Sequence, residues 1–119
     1  MHELSIAQSI LDIVHQYVAP ADIRRVRTVF VKVGKLAGVV PDSLEFGFSA
    51  IVADTSLRAA RLQIEEVPFT IRCTDCDTIS ESEAGVILCP KCGGNNARAE
   101  SGTELQVTEI EINDAEEKT

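Results

Sequence analysis

Four cysteines fall into two pairs, Cys73-Thr-Asp-Cys76 and Cys89-Pro-Lys-Cys92, with twelve residues between them. Two thiolates at this spacing reach one metal ion from a single tight turn, and two such turns supply the four tetrahedral ligands of a closed site. Gly93 and Gly94 follow the second pair and let the backbone curl back towards the sulfurs. The pattern reads as a structural zinc site. Two disulfides would need an oxidising compartment, and a thioredoxin-like function would need only one pair. Iron held by four thiolates uses similar turns, so the spacing alone leaves iron open. His2 and His15, the two histidines, lie far from the cysteines in sequence and offer no replacement ligand. A closed four-thiolate site has no open position for a substrate, so its role is folding.

A second group of donors opens the chain. A bulky His2 blocks removal of the initiator methionine, so the free amine belongs to Met1. An α-amine titrates near about 7.7–8.0, and a bound metal deprotonates it at neutral pH. The His2 imidazole and its backbone amide nitrogen chelate the same ion, and the Glu3 amide nitrogen or carboxylate completes the set. A planar set dominated by nitrogen suits nickel(II) or copper(II). From the residues alone, a mobile N-terminus with an exposed imidazole is the competing reading.

These donors need a body to position them. A chain of 119 residues falls within the usual size of one domain. The cysteine-rich stretch is too short for a core of its own, so an α/β body carrying a metal-stapled appendage is expected. Aromatic residues make up only 4%, with no Trp, so Val, Ile, Leu and Ala must fill the interior. Eleven Lys and Arg against nineteen Asp and Glu give a net charge of −8. Such a chain repels phosphate backbones, which opposes nucleic-acid binding. An acid at position 3 and an amphipathic stretch to Val18 do not make a secretory signal, and no apolar run approaches the ~20 residues of a membrane span. A cytoplasmic protein is expected. No Ser-His-Asp set, phosphate loop or supported carboxylate pair is present, so the chain does not read as an enzyme.

Leu4, Ala7, Ile10, Leu11, Val14 and Val18 recur at helical spacing, with a capping box at Ser5 and Gln8, and Pro20 ends that helix. Ile23 to Gly34 reads as a central strand, apolar on both faces. Asp42 and Glu45 signal the start of a second helix, whose stripe is Leu44, Phe48, Ile51 and Val52. Arg61 to Val67 and Glu104 to Ile112 read as strands; the apolar residues of the second change phase between Val107 and Ile110. The expected fold is α+β: two helices on a three-stranded mixed sheet, with a zinc-ribbon-like four-cysteine domain inserted. The boundaries are 1–69 plus 100–119 for the body and 70–99 for the insert, with a frayed polar tail from Asn113.

Met1-His2-Glu3-Leu4-Ser5 opening a helix, followed by the two cysteine pairs, resembles the HypA/HybF family of hydrogenase nickel-incorporation proteins. Val31-Lys32-Val33-Gly34-Lys35-Leu36 and Ile64-Glu65-Glu66-Val67-Pro68 look similar too, and the resemblance covers essentially the whole chain. It implies nickel at His2, the Met1 amine and Glu3, and zinc at Cys73, Cys76, Cys89 and Cys92. It further implies a metallochaperone, a GTPase partner in the same pathway, and delivery to the precursor of the nickel–iron hydrogenase large subunit. Some relatives also serve urease. Some carry histidines flanking the zinc cysteines, which this chain lacks. The alternatives are a zinc-ribbon module for protein or nucleic acid, and a rubredoxin-like electron carrier. Arg24, Arg25 and Arg27 form the one basic cluster, read as solvated charges over a docking patch for an acidic partner. His15 reads as a surface residue. Asp75, Asp77, Glu81 and Glu83 make the insert acidic.

Overall fold

Helix α1 spans His2–Tyr17 and buries Ala7, Ile10 and Val14, with Val18 buried just past its end. These residues recur at the spacing of one helical face. The computed structural model describes residues 2–82 and 85–113, residue 2 by its backbone alone. The tail beyond Asn113 and Glu83 lie outside the described residues. The helix begins a turn before Ser5, so Ser5 and Gln8 form no capping box. Instead Ser9 Oγ donates to the Ser5 carbonyl, and Gln8 Nε2 donates to Asp12 Oδ1 at 3.1 Å. Pro20 does more than stop the helix. It stands at the start of a 3-10 turn, Pro20–Arg25, where its missing N–H costs nothing. Ile23, expected in the first strand, is the buried residue of that turn.

Strand β1 follows as Val26–Gly34, then helix α2 as Pro41–Val52 and strand β2 as Arg61–Val67. Helix α2 buries Leu44, Gly47, Phe48 and Val52. Its N-cap is Val40, which has no capping side chain of its own, and Asp42 lies inside the first turn. The Val40 N–H donates instead to Glu3 Oε2 at 3.2 Å, so a carboxylate of α1 supplies the anion favoured at a helix start. Helices α1 and α2 pack together. At Gly47 an added methyl would lie 3.5 Å from Leu4 Cδ1 and 3.9 Å from Ala7 Cβ, ordinary contact distances. Gly47→Ala is therefore expected to stabilise the fold by about 1 kcal/mol through helix propensity, read as a higher urea midpoint at unchanged slope. A lower midpoint would show that the helices cannot take the methyl.

The remaining strands are β3 Thr70–Cys73, β4 Ile79–Glu81, β5 Ala97–Ser101 and β6 Leu105–Ile112. They form two three-stranded sheets, ordered β2-β1-β6 and β4-β3-β5. In the first, Asn113 N–H donates to Arg25 O and Gly34 N–H to Glu104 O, so β6 runs antiparallel to β1. Lys35 N–H donates to Val67 O, so β1 and β2 finish together and are parallel, joined through α2. The sheet is mixed and β1 is central, as its nearly continuous Val content requires: Val26, Val29, Val31 and Val33 are all buried. In the second sheet both β4 and β5 pair antiparallel with β3.

The chain divides into two compact units. The first takes the described residues up to Val31, Val39–Glu65 and the stretch from Gln106; the second takes Lys32–Gly38 and Glu66–Leu105.

Candidate metal centre

Strand β3 ends at Cys73, and the chain then turns through Thr74-Asp75-Cys76 before β4. The Asp77 N–H donates to the Cys73 carbonyl at 2.8 Å, and the Cys73 N–H donates to Thr78 O at 2.9 Å. The second pair repeats this ring: Gly93 N–H to Cys89 O at 2.8 Å, and Cys89 N–H to Gly94 O at 3.0 Å. Each ring needs a left-handed residue one place after its second cysteine. Gly93 meets that need with φ +74°, and Asp77, a residue type that tolerates the region, with φ +59°. In both rings the N–H that follows also binds sulfur: Thr78 N–H at Cys76 and Gly94 N–H at Cys92.

The two rings bring all four Sγ atoms within 4.8 Å of one another. Cys73 Sγ lies 3.7 Å from Cys92 Sγ, and Cys76 Sγ lies 3.6 Å from Cys89 Sγ. Zn–S bonds of about 2.3 Å on a tetrahedron place sulfurs about 3.8 Å apart, so the cage has the size of a four-thiolate zinc site. All four cysteines are free of disulfides. Cys73 and Cys89 are buried, Cys76 is half-buried, and Cys92 is exposed.

Charge explains why a cation belongs there. The Thr78 hydroxyl, 3.2 Å from Cys76 Sγ, lowers that thiol from 9.0 to about 6, its backbone N–H acting in the same sense against desolvation. The Gly94 N–H pulls Cys92 down, but Cys73, Cys89 and desolvation outweigh it and push Cys92 up to about 12. Sulfurs this close cannot all ionise beside one another, whereas a divalent ion among them favours every thiolate.

Residues outside the cysteine pattern hold the cage. The Asn96 carbonyl accepts the Thr74 N–H at 2.9 Å and the Thr74 hydroxyl at 2.6 Å, while Asn96 Nδ2 donates to Asp75. Arg72 pairs with Asp77 at 2.9 Å and with Glu100 at 3.3 Å. The pairs Glu100 and Asp77 make hold the Arg72 guanidinium charged above its ordinary range. The repeated spacing of Asp77-Thr78 and Gly93-Gly94 behind each cysteine pair is the sequence signal that marks the rings.

Glu3 lies in the first turn of α1 with its carboxylate on the Val40 N–H. The Met1 amine and the His2 imidazole lie outside the described residues. His15 is exposed in the last turn of α1. Of the basic cluster, Arg25 pairs with Asp22, and Arg27 reaches Asn113 Oδ1 at 3.3 Å.

The family described as "Hydrogenase/urease nickel incorporation, metallochaperone, hypA" matches residues 1–112. The chain belongs to the HypA family. A "Hydrogenase maturation factor HypA" from Roseiflexus sp. (strain RS-1) is 42% identical, covering 96% of this chain and 94% of its own length. A HypA of the same description from Geotalea uraniireducens (strain Rf4) is 46% identical over 94% of this chain and 99% of its own. The fold is that of the solution structure of the Ni metallochaperone HypA from Helicobacter pylori, with TM-score 0.63, 19% identity, and 92% and 96% of the two chains covered. The HypA family is one of metallochaperones. Among the described residues, no helix is long and apolar enough to cross a membrane.

Proposed function

We propose that this HypA-family chain is a cytoplasmic nickel metallochaperone that binds nickel(II) at its N-terminus and helps insert it into the large subunit of nickel–iron hydrogenase during maturation. Nickel is held by the His2 imidazole, the Met1 amine and Glu3. Zinc, held by Cys73, Cys76, Cys89 and Cys92, orders a docking domain at 70–99 on the body formed by 1–69 and 100–119. The insertion pathway includes a GTPase and the hydrogenase precursor as partners. The match to a nickel-incorporation family across residues 1–112, which takes in both donor sets, carries this reading. Transfer asks for an exposed site of modest affinity, and a short chelate at the start of a helix meets that need. The four-sulfur cage, with every corner filled by protein, suits a resident ion rather than a travelling one.

His2 is the informative position to change. Removing the Glu3 carboxylate would also strip the N-terminus of α2 of its acceptor, a structural loss of about 1 kcal/mol by analogy with ordinary caps. Nickel titration of the untagged protein against His2→Ala is expected to show nickel binding lost and one zinc per chain kept in both. Extending the chain before Met1 is expected to do the same by removing the amine. Equal nickel binding by His2→Ala would refute the N-terminal site. A colourless protein carrying zinc would remove the iron reading.

A further inference from the structure

We propose that the first unit carries a second ligand site, a phosphate-binding cleft between the 3-10 turn and the loop that follows α2. The cleft, about 530 Å³, is lined by Pro20, Arg24, Ser56, Arg58 and Ala59. That volume falls in the range of small-molecule sites, roughly 300–1,000 Å³. Two arginines and a serine line one concavity, with no carboxylate among the described lining residues. On a chain of net charge −8 with eleven Lys and Arg in all, such a pairing is a local reversal of the general field.

Both arginines stand beside apolar anchors. Arg24 follows Ile23, 7% exposed, and Arg58 follows Leu57, 1% exposed. The loop under Arg58 is braced from within: Thr55 Oγ1 donates to Val52 O at 2.8 Å and accepts the Leu57 N–H at 3.1 Å. Arg58 itself donates one N–H to Thr55 O at 3.3 Å, which aims the guanidinium and leaves its other donors for a ligand. In the same basic cluster Arg25 is paired with Asp22, whereas neither Arg24 nor Arg58 has an ion-pair partner among the described residues.

The chemistry selects among anions. Two guanidiniums match the charge of a phosphate group, about −1.5 to −2 at neutral pH, and present forked donors to its oxygens. A single carboxylate satisfies one arginine and leaves the other in competition with water. The ligand class is therefore a phosphate dianion, free or at the end of a nucleotide.

The test is an NMR titration of the zinc-loaded, nickel-free full chain with inorganic phosphate, with a nucleoside triphosphate and with acetate. The site predicts saturable shifts centred on Arg24, Ser56 and Arg58 for phosphate, and weaker ones for acetate. Arg24→Gln and Arg58→Gln should each weaken phosphate binding by about tenfold, the usual worth of one charged hydrogen bond. Arg58→Lys, which keeps the charge without the fork, should fall between. Tighter binding of the triphosphate identifies a nucleotide as the natural source, and equal binding identifies free phosphate. Acetate binding as tight as phosphate, shifts that persist unchanged in Arg24→Gln/Arg58→Gln, or no saturable shift would each overturn the assignment. None of these readouts depends on nickel, so this site and the N-terminal one stand or fall separately.

Discussion

Stripping the metal from the four-cysteine cage is expected to melt the β4-β3-β5 sheet, and Cys73→Ser is expected to do so without a chelator. The reason is the poverty of apolar packing there. Ile71 and Phe69 are buried, but Ile79, Val86, Ile87 and Leu88 are all exposed, and β4 is three residues long. Two of the buried side chains in the sheet and its loops are the ligands Cys73 and Cys89 themselves. A structural zinc ion contributes on the order of 10–16 kcal/mol of apparent binding energy, comparable to the ~5–15 kcal/mol that holds a whole domain. Hydrogen exchange checks this directly. The amides of Cys73 and Thr74, bonded to Thr78 O and Asn96 O, should be protected with metal and exchange freely without it. Retained protection after chelation would show that the strands stand unaided. Acid should also displace the ion, by protonating its ligands. The Cys92 thiol, near 12 without metal, must release its proton on loading, while Cys76, near 6, is already ionised at neutral pH. Protons therefore compete with the ion, and zinc affinity falls as pH falls, more steeply below about 6 once Cys76 also holds a proton.

Gly34→Ala is expected to cost several kcal/mol. A Cβ at Gly34 would overlap the Gly102 carbonyl and lie 2.5 Å from Thr103 N, all of it backbone that cannot rotate away. The two backbone segments meet so closely because Gly34 N–H donates to Glu104 O and Leu36 N–H to Gly102 O, each at 2.8 Å. Gly102 is itself confined, with φ +110° and Phe69 backbone where its own Cβ would stand. Overpacking ordinarily costs about 1–3 kcal/mol when side chains can yield, and here none is available to yield. A denaturant midpoint within error of the parent would show that the strand ends can part. The contrast with Gly47→Ala is the control, because the same methyl there meets side chains at contact distance.

Local pattern was enough for much of this. The limits of β2, the centrality of β1 and most of each helix's buried face follow from periodicity, though Leu4, expected in the stripe of α1, is exposed. The metal cage was legible because a tetrahedral ion imposes spacing on the chain. Long-range choices were not legible. The expected cap of α2 at Asp42 and Glu45 lost to Glu3, thirty-seven residues away, which no local window contains. Ile23 was assigned to a strand by its alternation with its neighbours, yet Pro20 closes a 3-10 turn over it. Strands β4 and β5 escaped because Ile79-Ser-Glu and Ala97-Arg-Ala-Glu-Ser carry little strand propensity; their pairing with β3 holds them.

Each cysteine pair is closed by its own ring of backbone bonds within six residues, so each half of the site has only a short loop to order. With two ligands in each ring, Cys73 and Cys76 would supply one half of the site and Cys89 and Cys92 the other, tethered by the twelve residues between. Binding by the second pair would then be intramolecular, at high effective concentration. A bound ion would thus act as a cross-link between two locally closed rings, joining segments that the rings' own backbone bonds leave separate.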